Sequence, residues 1–410
     1  MNLRRPPSQA ERGQILVIVA AGMVILVALV GLVIDGGFAW GRQRATQNAA
    51  DAASLAGATV MAERLAGATP ARTDLQVNTA VNLAFTNNQV DRHAAFYTNI
   101  TGDLLTSGGS VTTNEAAAAV VGGGTIPNNA AGVLARGTQT FDTFLMRIIG
   151  FNESTTVAPA TAVAGYLNEV CAASSGCDVI PITLPVTILQ CDNTGTSPVA
   201  FEPPTFWQVT NDPISIPLCG NGPGNVGWID WYPGDAGCDG EPAEGMPEVE
   251  CEILTPNNPP ISLPSWQKVA QTGNPNATYI ETALNDKYAG AIVRIPQFDG
   301  TCSDTPDGTS LAGCDPADVG GGGTNQWYHL PQFASFQFCG PAIPECVAAG
   351  VDRGAYINGS NPICATLDYA TSGTTSCLVG RFVKFITEGT VGAGTGSGSS
   401  TDAIGVQLIR

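Results

Sequence analysis

ILVIVAAGMVILVALVGLVI, residues 15–34, decides how the rest of the chain is read. These twenty residues carry no charge, and about 20 apolar residues suffice for a helix to cross the hydrocarbon core of a bilayer. No other stretch of the 410 residues does the same. The expectation is a transmembrane helix at 15–34, with a basic tail at 1–14 before it. Arg4, Arg5 and Arg12 precede the run and Arg42 and Arg44 follow it; the bias favours a cytoplasmic N-terminus. A cleaved signal peptide is the competing reading. Gly37-Phe38-Ala39 is a poor small-residue cleavage site, and the run is longer than a usual signal core, so a retained anchor is favoured.

Charge and cysteine usage point the same way. The formal net charge of −18 resides in residues 167–410, where seven Lys and Arg face twenty-five acids. Such a surface repels nucleic acid and suits an exported domain or one that binds cations. All twelve cysteines fall in that region: Cys171, Cys177, Cys191, Cys219, Cys238, Cys251, Cys302, Cys314, Cys339, Cys346, Cys364 and Cys377. An even count confined to one region reads as a disulfide framework whose connectivity stays open. Zinc is the poorer reading, because there is no C-x-x-C and the only histidines are His93 and His329. Disulfides require an oxidising compartment, which places residues 167–410 outside the cytoplasm.

Beyond Asp35 the pattern stays helical to about Gly57. Gly37, Gly41, Ala45, Ala49, Ala53 and Gly57 recur every four residues and make a narrow strip of small side chains on one helix face. Such a strip lets a second helix approach closely. It fits packing on the chain's own domain as well as packing in an assembly. Gln43, Gln47, Asn48 and Asp51 show that this part has left the lipid.

Arg12-Gly13-Gln14, the apolar run, Ile34-Asp35-Gly36-Gly37, Arg42 and then Gln47-Asn48-Ala49-Ala50-Asp51-Ala52-Ala53-Ser54-Leu55-Ala56 resemble the N-terminal segment of the TadE/TadG-like family. The resemblance implies bacterial tight-adherence (Flp-type) pilus assembly, and it covers about the first 60 residues. The chain departs from type IV prepilins, which carry Glu five residues after their cleavage point; the fifth residue counted from Gly13 is Ile18. The segment therefore reads as a permanent anchor.

The helical spine should break between Leu65 and Arg72, with a helix from Asp74 that presents Val77, Ala80, Val81, Ala84 and Phe85 on one face. Gly102 to Asn129 reads as short strands and loops. Gly132 to Thr140 reads as a strand, Phe141 to Ile149 as a helix closed by Gly150, and Thr155 to Tyr166 as a second strand. This order is similar to the remainder of TadE/TadG-like proteins, so 35–166 is expected to be a small pilin-like α+β domain on a long helix. From 167 to 410 a Cys-rich, acidic, mostly-β domain is expected. Within it Val179 to Leu189 alternates cleanly, and Pro181 and Pro185 argue for an edge strand. Ala291 to Ile295, Phe333 to Phe338, Arg381 to Ile386 and Ile404 to Ile409 are further strands. Asn276 caps a helix that ends at Gly290. Gly320 to Gly323 and Gly389 to Ser400 are loops, the second a hairpin connection between the last two strands. The fold class is α+β.

Little in the sequence carries catalysis. His329 sits in Trp327-Tyr328-His329-Leu330-Pro331 and reads as a packed residue rather than a base. No G-x-S-x-G, H-E-x-x-H or G-K-[ST] occurs. Some TadG-like proteins carry a von Willebrand A domain, but its D-x-S-x-S metal string is absent, and Asp212-Pro213-Ile214-Ser215 is a poor substitute. Calcium is the remaining cofactor candidate, through Asp299, Asp304 and Asp307 in one loop, with Asp235, Asp239, Glu241 and Glu244 in another. Neither loop follows the EF-hand pattern, and solvated acidic loops are the simpler reading. Trp207, Trp228, Trp231, Trp266 and Trp327 either fill a thin core or form a sugar platform, and the core is favoured.

The expected protein is not an enzyme and needs no cofactor beyond that calcium. It is a single-pass component of a tight-adherence pilus system in the bacterial cell membrane, N-terminus cytoplasmic and bulk extracytoplasmic. It meets lipid through residues 15–34 and other pilus-assembly or pilin-like proteins through its helix, and it binds no nucleic acid. The alternative is a membrane-anchored, adhesin-like binding module, and after it an anchored hydrolase.

Overall fold

The computed structural model describes residues 9–68, 70–90, 92–170, 179–191, 198–200, 206–219, 226–231, 246–254, 260–271, 278–315, 326–351, 356–357, 364, 376–384, 386–388, 390–392 and 402–409. Two compact units emerge. One comprises residues 1–61, 72–163 and 408–410; the other comprises 62–71 and 164–407. The fold is α+β, with a long apolar helix first and the disulfides confined to the β-rich C-terminal region.

The first unit is built on α1 (Gln9–Leu65), followed by α2 (Asp74–Asn87), β1 (Arg92–Thr98), β2 (Gly132–Asp142) and β3 (Glu153–Val170), the last of which continues into the second unit. β1 and β2 pair antiparallel from Arg92↔Thr138 to Thr98↔Gly132, and β2 pairs with β3 from Gly132↔Val163 to Asp142↔Glu153. Small residues let α1 lie close to this sheet. Ala49, Ala50, Ala53 and Ala58 are fully buried. A Cβ on Gly57 would stand 2.9 Å from Val133 Cγ2 and 3.0 Å from Val81 Cγ2, so helix, sheet and α2 meet there. Thr46 Oγ1 lies 3.0 Å from Thr156 Oγ1. The amides of Gln43 and Gln47 donate to the carbonyls of Val157 and Pro159 at 3.1 and 3.2 Å. Their donation and the missing N–H of Pro159 satisfy and blunt that edge of β3.

At the start of α2, Asp74 ties the irregular segment between β1 and β2 to the helix. Its carboxylate accepts from Tyr97 Oη at 2.6 Å and from the backbone N–H of Gly122 and Gly124 at 2.8 and 2.7 Å. Both glycines have φ above +90°, where a side chain would be strained. Val77, Val81 and Phe85 form the buried face of α2.

The second unit contains β4 (Ile182–Pro185), β5 (Leu189–Cys191), β6 (Pro198–Ala200), β7 (Ile214–Pro217), β8 (Gly227–Asp230), α3 (Met246–Leu254), β9 (Ile261–Ser262), β10 (Ser265–Gln271), α4 (Thr278–Tyr288), β11 (Ile292–Phe298), β12 (Gly300–Cys302), β13 (Trp327–Leu330), β14 (Gln332–Phe338), α5 (Pro344–Ala348), β15 (Tyr356–Ile357), β16 (Cys377–Phe382), β17 (Ile386–Glu388), β18 (Thr390–Gly392) and β19 (Ile404–Ile409). Its main sheet runs β12-β13-β10-β8-β4-β11-β14-β16-β15, with β7 also on β16. One face carries Ile182, Trp228, Ile295, Phe336 and Phe382 into a core shared with Val249 and Ile253 of α3 and Ile280 and Leu284 of α4. Lys287 Nζ and Tyr288 Oη donate to the carbonyls of Leu254 and Ile253, closing the last turn of α3.

Several expectations need correction. The segment from Phe141 to Ile149 is not one helix: β2 extends to Asp142, and only Met146–Ile149 turn, as a 3₁₀ helix ended by Gly150 at φ 97°. Residues 179–189 are not an edge strand. β4 is four residues long and lies between β8 and β11. Pro181 stands before it and Pro185 ends it, where the missing N–H costs no central ladder bond. The last strands are not a hairpin, since β17 and β19 pair in parallel and β18 pairs with β3. The segment expected as one strand at 381–386 is split between β16 and β17. Asn276, Gly320 to Gly323, residues 393–400 and the Asp235-to-Glu244 cluster lie outside the described residues.

Four disulfides are formed among the described residues, Cys191–Cys219, Cys302–Cys314, Cys339–Cys346 and Cys364–Cys377, spanning 28, 12, 7 and 13 residues. Cys251 is also disulfide-bonded, while Cys171, Cys177 and Cys238 lie outside the described residues. Closing loops of these lengths stabilises by about 2–4 kcal/mol each. Because the first unit holds no cysteine, dithiothreitol should lower the unfolding temperature of the second unit and leave the first unchanged. Hydrogen exchange followed by peptide mapping reads both at once.

Candidate functional site

Among the described residues, 15–34 form a long apolar stretch that is left largely uncovered. Every large apolar side chain there is exposed, from 48% at Val30 and Ile34 to 74% at Val33, and Gly31 alone is buried. A helix of this length and composition inside a soluble protein would be covered by its neighbours. This is the one described helix long and apolar enough to cross a membrane.

Where the span ends, the β2–β3 hairpin tip meets it. Asp35, 6% exposed, accepts from the backbone N–H of Phe144 at 2.8 Å, of Leu145 at 3.0 Å and of Met146 at 2.6 Å. Three donors on one carboxylate are the arrangement a helix start needs, because its first N–H groups have no partner within the turn. Thr143 Oγ1 donates to the carbonyls of Phe151 and Asn152 and closes the tip from below. Leu145 packs where a side chain on Gly31 would stand: a Cβ there would be 2.9 Å from Leu145 Cβ. Phe38 meets Phe141 and Phe144 edge-on, each at 5.2 Å, and the Arg42 guanidinium lies 5.0 Å from the Phe38 ring. Leu145 and Met146 close one side of an apolar groove of about 290 Å³, lined also by Met23, Val27, Ala28 and Leu32.

The hairpin tip was missed by sequence reasoning, which read its spacing as helical. Its signal was composition: Phe-Leu-Met-Arg-Ile-Ile-Gly-Phe between two Thr-rich strands is far more apolar than a surface loop needs to be. The small-residue strip divides. Ala49, Ala53 and Gly57 are buried against the sheet and α2, whereas Gly37, Gly41 and Ala45 are exposed, and a Cβ on Gly37 or Gly41 meets nothing within 4 Å.

The second unit offers two candidates. His329 is buried beside Trp266, ring centroids 5.0 Å apart. Its Nδ1 pairs with Asp299 Oδ1, and its Nε2 lies 3.1 Å from the Thr309 carbonyl. Both partners accept, so the protonated ring donates from both nitrogens, and in that form it has no lone pair for a nucleophile's proton. Burial lowers its pKa, but the Asp299 carboxylate and the Thr309 carbonyl outweigh that and hold it above the ordinary 6.5. The calcium candidates do not converge. Asp299 is turned to His329, Asp304 accepts its neighbour Thr305 N–H at 2.8 Å, and no group of three or more His, Cys, Asp or Glu side chains gathers among the described residues. Trp207, Trp228, Trp231 and Trp266 are buried and Trp327 is half-buried. His93 stacks on Phe85 at 4.6 Å, with its pKa lowered by burial.

Two measurements follow from these geometries. Asp35→Ala should expose the amides of residues 144–146 to fast hydrogen exchange while the β2–β3 ladder stays protected, and Asp35→Asn should have the smaller effect. A histidine with a raised folded-state pKa contributes stability that is present below its ordinary value and is lost as pH rises through the folded value. Exchange protection around residues 299–314 should therefore fall on titration upward from pH 6.5, and His329→Gln should flatten that profile.

Against known proteins, residues 13–60 match the Tad family, described as Flp pilus-assembly TadE/G-like. The match takes in the span, Asp35 and the helix to beyond Gly57, and it leaves residues 61–410 outside. No curated protein and no solved structure matches the chain. The matched family is one of pilus assembly and not of enzymes. Over residues 13–60, and there alone, this chain is similar to the Flp pilus-assembly TadE/G-like family.

Proposed function

We propose that the protein is a membrane-anchored structural or assembly component of a tight-adherence (Flp) pilus system. The observation that carries this is the coincidence of the family match with an apolar helix whose large side chains the described residues leave exposed. An apolar stretch of this length, exposed at every position but Gly31, needs lipid or partner helices around it. Past Asp35 the helix becomes the spine of a folded unit, so anchor and domain share one continuous element. The N-terminus lies in the cytoplasm and the disulfide-bonded unit outside it, where an oxidising milieu keeps the bridges closed.

Assembly partners are pilin-like or pilus-assembly proteins, and they approach α1 at Gly37, Gly41 and Ala45. Those positions are small and open, whereas Ala49, Ala53 and Gly57 already pack within the unit. No described tryptophan of the second unit forms an open sugar platform, and His329 is tied on both nitrogens. The adhesin and hydrolase alternatives therefore have no comparable support.

The test is Gly41→Leu in the full chain, with living cells sheared and the sheared and membrane fractions assayed by mass spectrometry and cross-linking. This substitution should leave the fold intact, because replacing a helical glycine favours the helix by about 1 kcal/mol. Partner cross-links should be lost. Ala53→Leu, by contrast, should cost about 1–3 kcal/mol by overpacking and lower the protein level itself. Unchanged cross-links in the Gly41→Leu variant would overturn the assembly role of the open strip.

A further inference from the structure

We propose that the β2–β3 hairpin tip, residues 144–151, is a second membrane-inserting element, seated in the outer apolar layer of the bilayer that residues 15–34 cross. The proposal rests on the anchor reading above.

Depth gives the first argument. Leu145 packs against Gly31, four residues before Asp35 on a continuous helix. At 1.5 Å per residue that is about 6 Å from Asp35 and about 4.5 Å inside the end of the apolar run. If the run spans the hydrocarbon core, a side chain resting on Gly31 is also within it. The groove closed by Leu145 and Met146 is lined by residues of the span alone on its other side, so its mouth faces whatever surrounds the span.

The second argument is exposure. Phe144 and Phe151 are 57% and 60% exposed at a tip whose neighbours are apolar. Large aromatic rings left bare on both sides of a loop are unfavourable in water, and they are suited to the boundary between acyl chains and headgroups. Trp40, 65% exposed six residues past the span, marks the same boundary on α1. Arg44 lies 5.0 Å over its ring, in position for lipid phosphates.

Backbone polarity gives the third. Irregular backbone cannot enter lipid unless its N–H groups are satisfied internally. Here Asp35 takes the N–H groups of Phe144, Leu145 and Met146. The N–H of Thr143 reaches Asn152 O at 3.0 Å, that of Gly150 reaches Arg147 O at 3.1 Å, and that of Phe151 reaches Met146 O at 3.1 Å. A tip exposed to water would need none of this, since water would supply the acceptors. The occupant that fits is the lipid surface, acyl chains against Phe144, Leu145, Met146 and Phe151 and phosphate groups near Arg147.

The test places the photo-cross-linker benzoylphenylalanine at Phe144, Phe151, Ile25 or Leu75 in turn, in the full chain reconstituted into phosphatidylcholine–phosphatidylethanolamine vesicles carrying a clickable lipid. Ile25 reports the span itself. Leu75 is 70% exposed on α2, at the end of that helix away from the tip. Burying a phenyl ring favours the inserted state by about tenfold or more, so lipid adducts at Phe144 and Phe151 should exceed those at Leu75 by about that factor and approach those at Ile25. Adducts at Ile25 with none at the tip would overturn the proposal and leave the anchor standing. No adduct at Ile25 would overturn both. Tip adducts to protein in place of lipid, in native membranes, would overturn it in favour of a partner interface.

Discussion

A carboxylate at the border of an uncovered apolar helix is the interaction on which the first unit depends. Asp35 is the first charged residue after the span, and it is spent on the backbone of a loop more than a hundred residues away. The Coulombic cost of an acid at such a border is reduced because three N–H dipoles converge on it. The same bonds give the tip of β2–β3 the donor satisfaction that an N-cap gives a helix. The end of the apolar stretch and the hairpin tip are thereby fixed relative to one another by one side chain.

From that border the spine passes into a different regime. Below Asp35 its surface is apolar and bare; above it, small residues let the sheet and α2 approach to contact distance. The spacing of four that runs through both halves therefore serves two purposes. At Ala49, Ala53 and Gly57 smallness is fixed by internal packing, with Val81 and Val133 against the backbone. At Gly37 and Gly41 nothing inside the protein requires it.

The parts of the fold legible in the sequence were those set by local rules. The long apolar helix, the break after Leu65, α2 with its Val77, Val81 and Phe85 face, the two long strands and α4 all follow from periodicity and punctuation. What was not legible depended on partners distant in sequence. Phe141 to Ile149 shows helical spacing, yet Phe141 lies in the β2–β3 ladder and Leu145 is held by Gly31, so tertiary contacts override the local period. Pro181 and Pro185 pointed to an edge because their number, and not their position at the ends of a four-residue strand, was what the sequence displayed. In the same way Asp35 was visible as a motif residue, but its three acceptor bonds were not. The pairing of Asp299 with His329, a partner thirty residues on, likewise could not be inferred from loop composition.

In the second unit each described bridge joins a cysteine to the next cysteine along the chain, across 7 to 28 residues. Eight cysteines admit 105 pairings in principle. A cysteine that pairs with the next one along the chain closes its loop with no other thiol between the two. Loops of 7 to 28 residues bring such partners together locally, so these four bridges ask for little of the long-range search that 105 pairings would imply.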